Sequence, residues 1–181
     1  MKKTSLLSML ILALALLTLA ACGGGGGSDS VTIPQPTTAV LTLSTAVTGT
    51  IPANTIIAGY DVTISLPAGV TVKATPDSLN PAKLVPDPGV VTDNPAGSYV
   101  EPVYSAATSS LPGTVQVHIV SATGYAPGEF CKVNADIAAG HYPTASDFQQ
   151  PTFDAYGWDK NTNSNVPLTG QLSLTEAAVI Q

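Results

Sequence analysis

Apolar and polar residues alternate with a period of two along most of the chain from Ala39 to Gln181. In the clearest segment, Tyr60–Leu66, every second residue is apolar and the residues between are Asp61, Thr63 and Ser65. This pattern predicts a strand with one buried face, because successive side chains point to opposite faces of a sheet. Other segments alternate in the same way: Val115–Ile119, Cys131–Ile137 and Leu172–Thr175, with Val40–Leu43 and Val70–Val72 as weaker candidates.

Turn signals separate these segments. Pro and Gly fall close together at Leu66–Gly69, Asp87–Gly89, Asn94–Gly97, Leu111–Gly113 and Ala126–Gly128. Several short strands separated by such turns are typical of an antiparallel β-sandwich. No segment has the period of a long helix, and Ala138–Gln149 has room for only one helical turn because Gly and Pro interrupt it. The predicted fold is therefore all-β, an antiparallel, jelly-roll-like sandwich.

The first 22 residues have the form of an export signal with a lipidation site. Lys2 and Lys3 precede an apolar stretch, Leu6–Leu19, that is too short for a stable membrane span. The stretch ends in Leu-Ala-Ala-Cys22, which resembles the lipobox that bacterial lipoprotein signal peptidase cleaves. Residues 1–22 would then be a signal peptide, and Cys22 would be the first mature residue and carry acyl chains. An ordinary signal peptide with an incidental Cys22 is the alternative.

Residues 23–36 are predicted to be a tether between Cys22 and a domain that spans residues 37–181. A run of five Gly and a Ser-Asp-Ser sequence favour a flexible coil, and Pro34 and Pro36 stiffen its end. Gly23, rather than Asp, follows Cys22, which favours the outer membrane if the host is Gram-negative. We therefore expect a lipid-anchored protein of the bacterial cell envelope.

Composition and charge exclude several classes of protein. Only 10% of the residues are charged, and none of the 181 is arginine. Nucleic-acid binding is not expected, because it needs clustered Lys and Arg to neutralise phosphates. Removal of Lys2 and Lys3 with the signal would leave four lysines against twelve acidic residues, a side-chain charge of −8. Acyl chains, rather than charge, would have to hold such a protein at an anionic membrane.

Few residues offer catalytic or metal chemistry. His118, on the polar side of its strand, and His141, in a loop, are expected to be structural or exposed. No metal or hydrolase motif accompanies them, so no enzyme activity, catalytic residue or metal site is predicted.

Asp159–Asn165 begins like a calcium loop but lacks the required Gly and final carboxylate, which favours an Asn-rich hairpin turn. Cys131 would be the remaining thiol, with no partner for a disulfide, and is predicted to be a buried apolar residue.

Three segments resemble the strand patterns of cohesin domains. Ala58–Ala74, with the sequence Ala-Gly-Tyr-Asp-Val-Thr-Ile-Ser-Leu-Pro-Ala-Gly-Val-Thr-Val-Lys-Ala, is similar to the early cohesin strand pair. Gly113–Gly124 followed by Pro127–Phe130 is similar to a later block, and Phe153–Gly157 before the final Leu-rich strand to the family's last hairpin. The resemblance covers about residues 37–181. It implies a cohesin-type sandwich that binds a dockerin protein, with calcium held by the dockerin and no cofactor in this chain.

The resemblance also indicates where a partner would bind. In cohesins, the strand that Tyr60–Leu66 matches lies on the sheet that meets the dockerin, so Asp61, Thr63 and Ser65 are the candidate partner-binding residues. A solvated edge charge at Asp61 is the plainer interpretation. A carbohydrate-binding or adhesin-like lipoprotein is the alternative function, and it would bind polysaccharide through exposed rings such as Trp158 and Tyr156. A structural envelope lipoprotein without a specific ligand is a third possibility.

Overall fold

The alternating segments form the strands of two antiparallel β-sheets. The computed structural model describes residues 34–93, 98–148 and 151–181, and Gln35–Gln181 fall in one compact unit. All ladders between the described strands are antiparallel. The prediction of an all-β, antiparallel sandwich is confirmed.

The described strands follow one another along the chain with two single 3-10 turns between them. The strands are β1 Thr38–Val47, β2 Thr55–Leu66, β3 Val70–Thr71, β4 Ala74–Pro76, β5 Leu84–Pro86, β6 Val91–Asp93, β7 Tyr99–Ser105, β8 Gly113–Tyr125, β9 Gly128–Ile137, β10 Thr152–Asp159, β11 Ser164–Pro167 and β12 Leu172–Ile180. One 3-10 turn, Ala145–Asp147, precedes β10 and the other, Thr169–Gln171, precedes β12. The first lies in the segment for which a single helical turn was predicted.

The strands are divided between a five-stranded and a seven-stranded sheet. The five-stranded sheet has the order β12-β1-β9-β3, and β6 also pairs with β9. The seven-stranded sheet has the order β11-β10-β2-β8-β7-β5-β4. Because β2 is an interior strand of the larger sheet, it pairs along its length with both β8 and β10.

The inner faces of the two sheets form one core around Tyr60. The ring of Tyr60 is fully buried, and its centroid lies 4.2 Å from that of Phe130 on β9 and 5.1 Å from that of Tyr125 on β8. Its phenol shares a hydrogen bond of 3.2 Å with Oγ1 of Thr45, a buried polar residue on β1 of the opposite sheet. Burial, more than any other factor, raises the pKa of Tyr60. Tyr60 thus joins the two sheets by both apolar and polar contacts.

The inward-facing residues of the well-patterned strands are those that alternation predicts. In the alternating segments Tyr60–Leu66 of β2 and Val115–Ile119 of β8 the apolar residues are at most 2% exposed, and they are Tyr60, Val62, Ile64, Leu66, Val115, Val117 and Ile119. Cys131 on β9 is fully buried, as predicted, and burial raises the pKa of its thiol to about 12. The thiolate form, which reacts and binds metals, is therefore scarce at neutral pH.

Sequence alternation did not reveal several short strands of the seven-stranded sheet. β4, β5, β7 and β11 each contain a proline, which cannot donate a ladder hydrogen bond. Pro102 of β7 is tolerated because β5 pairs with β7 only at Tyr104, so no strand on that side needs its missing N–H. These strands add to a sheet that β2 and β8 already define.

The last part of the chain differs from the expected terminal hairpin. The segment Phe153–Gly157 lies in β10, which pairs with β2 and with β11, while β12 pairs with β1 in the other sheet. The predicted Asn-rich turn after Asp159 is confirmed, with Oδ1 of Asp159 accepting a hydrogen bond of 2.7 Å from N of Asn161. This turn closes the β10–β11 hairpin, and the fully buried Leu168 then begins the crossing to the five-stranded sheet.

A pair of substitutions on β8 tests this register. Val117 is 2% exposed on the inner face, and its neighbour Gln116 is exposed on the outer face. We expect Val117→Asp to destabilise the domain by roughly 3–5 kcal/mol, because it buries an unpaired charge. Gln116→Asp should change the stability by less than about 0.5 kcal/mol. Chemical denaturation of both variants is the measurement, and equal midpoints would show that the register is wrong by one residue.

Candidate functional site

The outer face of the seven-stranded sheet carries the predicted partner-binding residues. We define the outer face as the outward-pointing residues of β7, β8, β2 and β10. Asp61, Thr63 and Ser65 of β2 lie on it, because Tyr60, Val62 and the other apolar residues of this strand point into the core. The neighbouring strands bring their own polar residues beside these three.

Four polar residues line up across the outer face, one from each strand. Glu101 on β7 is opposite His118 on β8, His118 is opposite Asp61 on β2, and Asp61 is opposite Asp154 on β10. We call these four residues the polar row. Both Asp61 and His118 remain open to solvent, with side chains 42% and 45% exposed.

Neighbours on both sides hold the carboxylate of Asp61 in place. Its Oδ1 contacts Nδ1 of His118 on one side, and its Oδ2 accepts a hydrogen bond of 2.8 Å from the phenol of Tyr156 on the other. The hydrogen bond to Asp61 is the main reason why the pKa of Tyr156 is raised, since loss of the phenol proton would break it. Asp61 is therefore a pre-oriented acceptor at the centre of the sheet.

The two ends of the polar row are anchored differently. Glu101 forms an ion pair of 2.9 Å with Lys83, and this contact lowers the pKa of Glu101 and raises that of Lys83. Asp154 accepts a hydrogen bond of 3.2 Å from Oγ1 of Thr169 but stands directly opposite Asp61. Like charges that face each other across two strands are destabilising. The row therefore carries a local excess of negative charge on the β2–β10 side.

The polar row borders a shallow groove, which we call the polar groove. Its volume is about 660 Å³, and Thr63, Gln116, Val103 and Thr152 line it together with Asp61, His118, Glu101 and Asp154. Ser65 lies outside this groove and lines a separate depression of about 190 Å³ with Pro67, Pro112 and Asp147. The structure thus brings Asp61 and Thr63 together and separates Ser65 from them.

A second, apolar groove lies beyond the polar row on the same face. It has a volume of about 440 Å³ and is lined by Ile56, Ala58, Val120, Ser121, Ala122 and Trp158. The indole of Trp158 is 37% exposed there. The groove depends on a bulge at Ala58, where the pairing of β2 with both neighbours shifts by one residue or more.

Gly59 marks this bulge in the sequence. A Cβ at Gly59 would lie 2.7 Å from the carbonyl oxygen of Ile119 and 2.9 Å from Cγ1 of Val120, so no other residue fits without displacing β8. The alternation of β2 also ends at Ala58–Gly59, where two small residues follow each other. This break was the available sequence signal for the apolar groove, which alternation alone did not reveal.

The two sets of residues proposed for alternative functions share one surface. Asp61 was assigned to a protein partner, and Tyr156 with Trp158 to a sugar. Tyr156 is hydrogen-bonded to Asp61, and Trp158 follows two residues later on the same strand. A protein partner that covers the polar row would therefore also approach Trp158.

The other candidate residues are placed as follows. His141 is exposed, in the loop after β9. Within the described residues, no group of three or more His, Cys, Asp or Glu side chains is arranged to hold a metal ion. No helix among residues 34–93, 98–148 and 151–181 is long and apolar enough to cross a membrane. Cys22 and Gly23 lie outside the described residues.

Comparisons of the chain with protein-family models, with curated proteins and with solved structures found no match. The geometry of the outer face therefore carries the functional argument.

The repulsion between Asp61 and Asp154 can be tested by neutralising one of the two carboxylates. We expect Asp154→Asn to raise the free energy of unfolding by about 0.2–1 kcal/mol at low salt, because it removes the repulsion from Asp61 and keeps an acceptor for Thr169. The gain should shrink in concentrated salt, which screens exposed charges. Asp136→Asn is a matched control, because Asp136 on β9 faces only threonines across its strands. A loss of stability, or a gain equal at all salt concentrations, would contradict the repulsion.

Proposed function

We propose that this protein is a non-catalytic, lipid-anchored binding module that resembles a cohesin and docks a dockerin-like protein at the bacterial cell envelope. The observation that carries the proposal is the polar row, in which Asp61 is held in one orientation at the centre of an open sheet face. The docking surface would be the outer face, with Asp61 and Thr63 at its centre and Ser65 at its margin.

The rigidity of the outer face supports a docking role. The candidate residues lie on strands that pair on both sides, and their backbone conformation is set by the core below them. A surface that is ordered before binding loses little conformational entropy in the complex. A partner of standard size would cover about 800 Å² on each side, which is enough to span the polar row and reach the apolar groove.

The N-terminal sequence supports the anchoring part of the proposal. Acyl chains on Cys22 would hold the protein at the membrane, and residues 23–36 would serve as the tether. Gly23 favours the outer membrane in a Gram-negative host. Any calcium in the complex would belong to the dockerin-like partner, and this chain would need no cofactor.

Carbohydrate binding is the second candidate function, and Trp158 is the observation that favours it. Its partly exposed indole borders an apolar groove, and sugars stack on exposed aromatic rings. Against it, the hydroxyl of Tyr156 is engaged by Asp61 and is not free to bind a sugar.

The anchoring proposal is tested by removal of the lipidated thiol. We expect Cys22→Ser to leave the precursor uncleaved or to release the protein from membranes, because no thioether can form. Membrane fractionation and the intact mass of the mature protein measure both effects. Unchanged processing and unchanged membrane partitioning of the variant would refute lipid anchoring.

The docking proposal is tested by introducing a positive charge on the outer face. We expect Thr63→Lys to abolish capture of dockerin-bearing proteins secreted by the native host, because it fills the polar groove and neutralises Asp61. Ser44→Lys is the matched control, since it places the same side chain on the outward face of β1 in the other sheet. Mass spectrometry of captured proteins, with and without a calcium chelator, is the measurement.

Affinity electrophoresis in polysaccharide gels separates the two candidate functions. Docking predicts no retardation of the wild-type protein in the gel. Retardation that disappears in Trp158→Ala, together with no dockerin-bearing protein in the capture experiment, would replace docking by carbohydrate binding.

A further inference from the structure

The last strand, β12, has one side on which no described strand pairs with it. It pairs with β1 along its whole length, from Val47↔Leu172 to Ala39↔Ile180, and it is the terminal strand of its sheet. Just beyond it, Gln181 exchanges both backbone hydrogen bonds with Thr38. Because bonded pairs alternate along an antiparallel ladder, residues 173, 175, 177 and 179 also bond to β1. The backbone N–H and C=O groups of Leu174, Glu176, Ala178 and Ile180 therefore point away from the sheet, and we call this row the free edge.

The free edge differs from the other described edges of the two sheets. β3 and β6, at the opposite side of the five-stranded sheet, are only two and three residues long. β4 and β11, at the ends of the seven-stranded sheet, are three and four residues long and each includes a proline. β12 has nine residues and contains neither proline nor lysine. Long, unprotected edges of this kind are templates for pairing with another strand.

One charged residue interrupts the free edge. The side chain of Glu176 points to the inner side of the sheet, the side of Leu174, Ala178 and Ile180, which pack against the core. Both of its carboxylate oxygens are buried without a hydrogen-bond partner among the described residues. Burial raises its pKa to about 7. An inward-pointing charge on an edge strand is a known protection against strand addition.

The elements packed most closely against β12 offer Glu176 no compensating charge. β1 has no titratable side chain, and the 3-10 turn Thr169–Gln171 has none. The turn Ala145–Asp147 contributes Asp147, whose carboxylate is bound to the backbone and hydroxyl of Thr144. Ionised Glu176 therefore has no ion-pair partner in these elements and gains stability only by turning out towards solvent across the free edge.

We propose that the free edge is the surface on which a second copy of this chain pairs, strand β12 against strand β12, and that ionised Glu176 prevents this pairing. A strand is the occupant whose backbone matches the alternating N–H and C=O groups of the edge. A second copy of β12 is favoured because the strand is complementary to itself about a two-fold axis through Ala177. In that register Leu174 faces Ile180 of the other copy, Thr175 faces Val179, and Glu176 faces Ala178 rather than another Glu176.

Cysteine cross-linking of the full chain tests this register. Ala177 lies on the proposed axis at a non-hydrogen-bonded position, where opposite Cα atoms are close enough for a disulfide. We expect oxidation of the double variant Glu176→Gln/Ala177→Cys to give a disulfide-linked dimer. In the same Glu176→Gln background, Val179→Cys alone should not cross-link, whereas a mixture of Val179→Cys and Thr175→Cys proteins should. The Glu176→Gln chain with its natural cysteines is the control, and its buried Cys131 should stay reduced.

Sedimentation velocity of the full chain in mild detergent tests the role of Glu176. If both copies must carry a protonated Glu176, the dimer dissociation constant should rise about a hundred-fold between about pH 5.5 and about pH 8, since each carboxyl contributes about ten-fold. Glu176→Gln should dimerise equally at both pH values, and Glu176→Lys at neither. Ala178→Pro should stay folded and monomeric, because it removes only an N–H group that points away from β1.

Two outcomes would overturn the inference. One is a folded Glu176→Gln protein, verified by circular dichroism, that stays monomeric at both pH values. The other is a dimer that forms equally well with Ala178→Pro or that does not cross-link at Ala177→Cys. Neither outcome bears on the outer face of the seven-stranded sheet, so the capture experiment tests docking of a partner there independently.

Discussion

The contact of Tyr60 with both sheets is the interaction on which the rest of this structure depends. Its ring packs on Phe130 of the five-stranded sheet, and its hydroxyl shares a hydrogen bond with Thr45 of the same sheet. Burying a phenol costs free energy unless its oxygen has a hydrogen-bond partner. Tyr60 therefore fixes the position of β1 and β9 relative to β2. The position of β2 then fixes the outer face, because the residue after Tyr60 must point the other way.

The candidate site is therefore a consequence of the core. Asp61 stands between two buried residues, Tyr60 and Val62, and it cannot turn inward without moving both. Its two neighbours on the outer face, His118 and Tyr156, come from strands that pair with β2 on either side. The site needs no loop to position it, which is why it is already ordered in the free protein and suits a partner with a firm surface of its own.

The bulge at Ala58 and the edge strand β12 are two places where the structure departs from a regular sandwich. At the bulge, Gly59 allows β8 to approach closely and opens the apolar groove beside Trp158. At the edge, Glu176 occupies an inward position that alternation would assign to an apolar residue. Both features depart from the strand pattern, and departures of this kind are expected where a surface has a task beyond holding the fold together.

Local patterning determined the strand interiors, the turns between them and the outward direction of Asp61, Thr63 and Ser65, because the side of a strand on which a residue lies depends only on the positions next to it. It also determined that Cys131 is buried and that Asp159 begins a turn. Only the tertiary structure decided which strands are neighbours. The chemistry of Asp61 depends on this choice, since His118 and Tyr156 lie 57 and 95 residues away in the chain. The pairing of β12 with β1 could not be predicted from the sequence either. Hydrogen bonds between strands join backbone groups that are the same in every residue, so the packing of the whole core decides which strands pair.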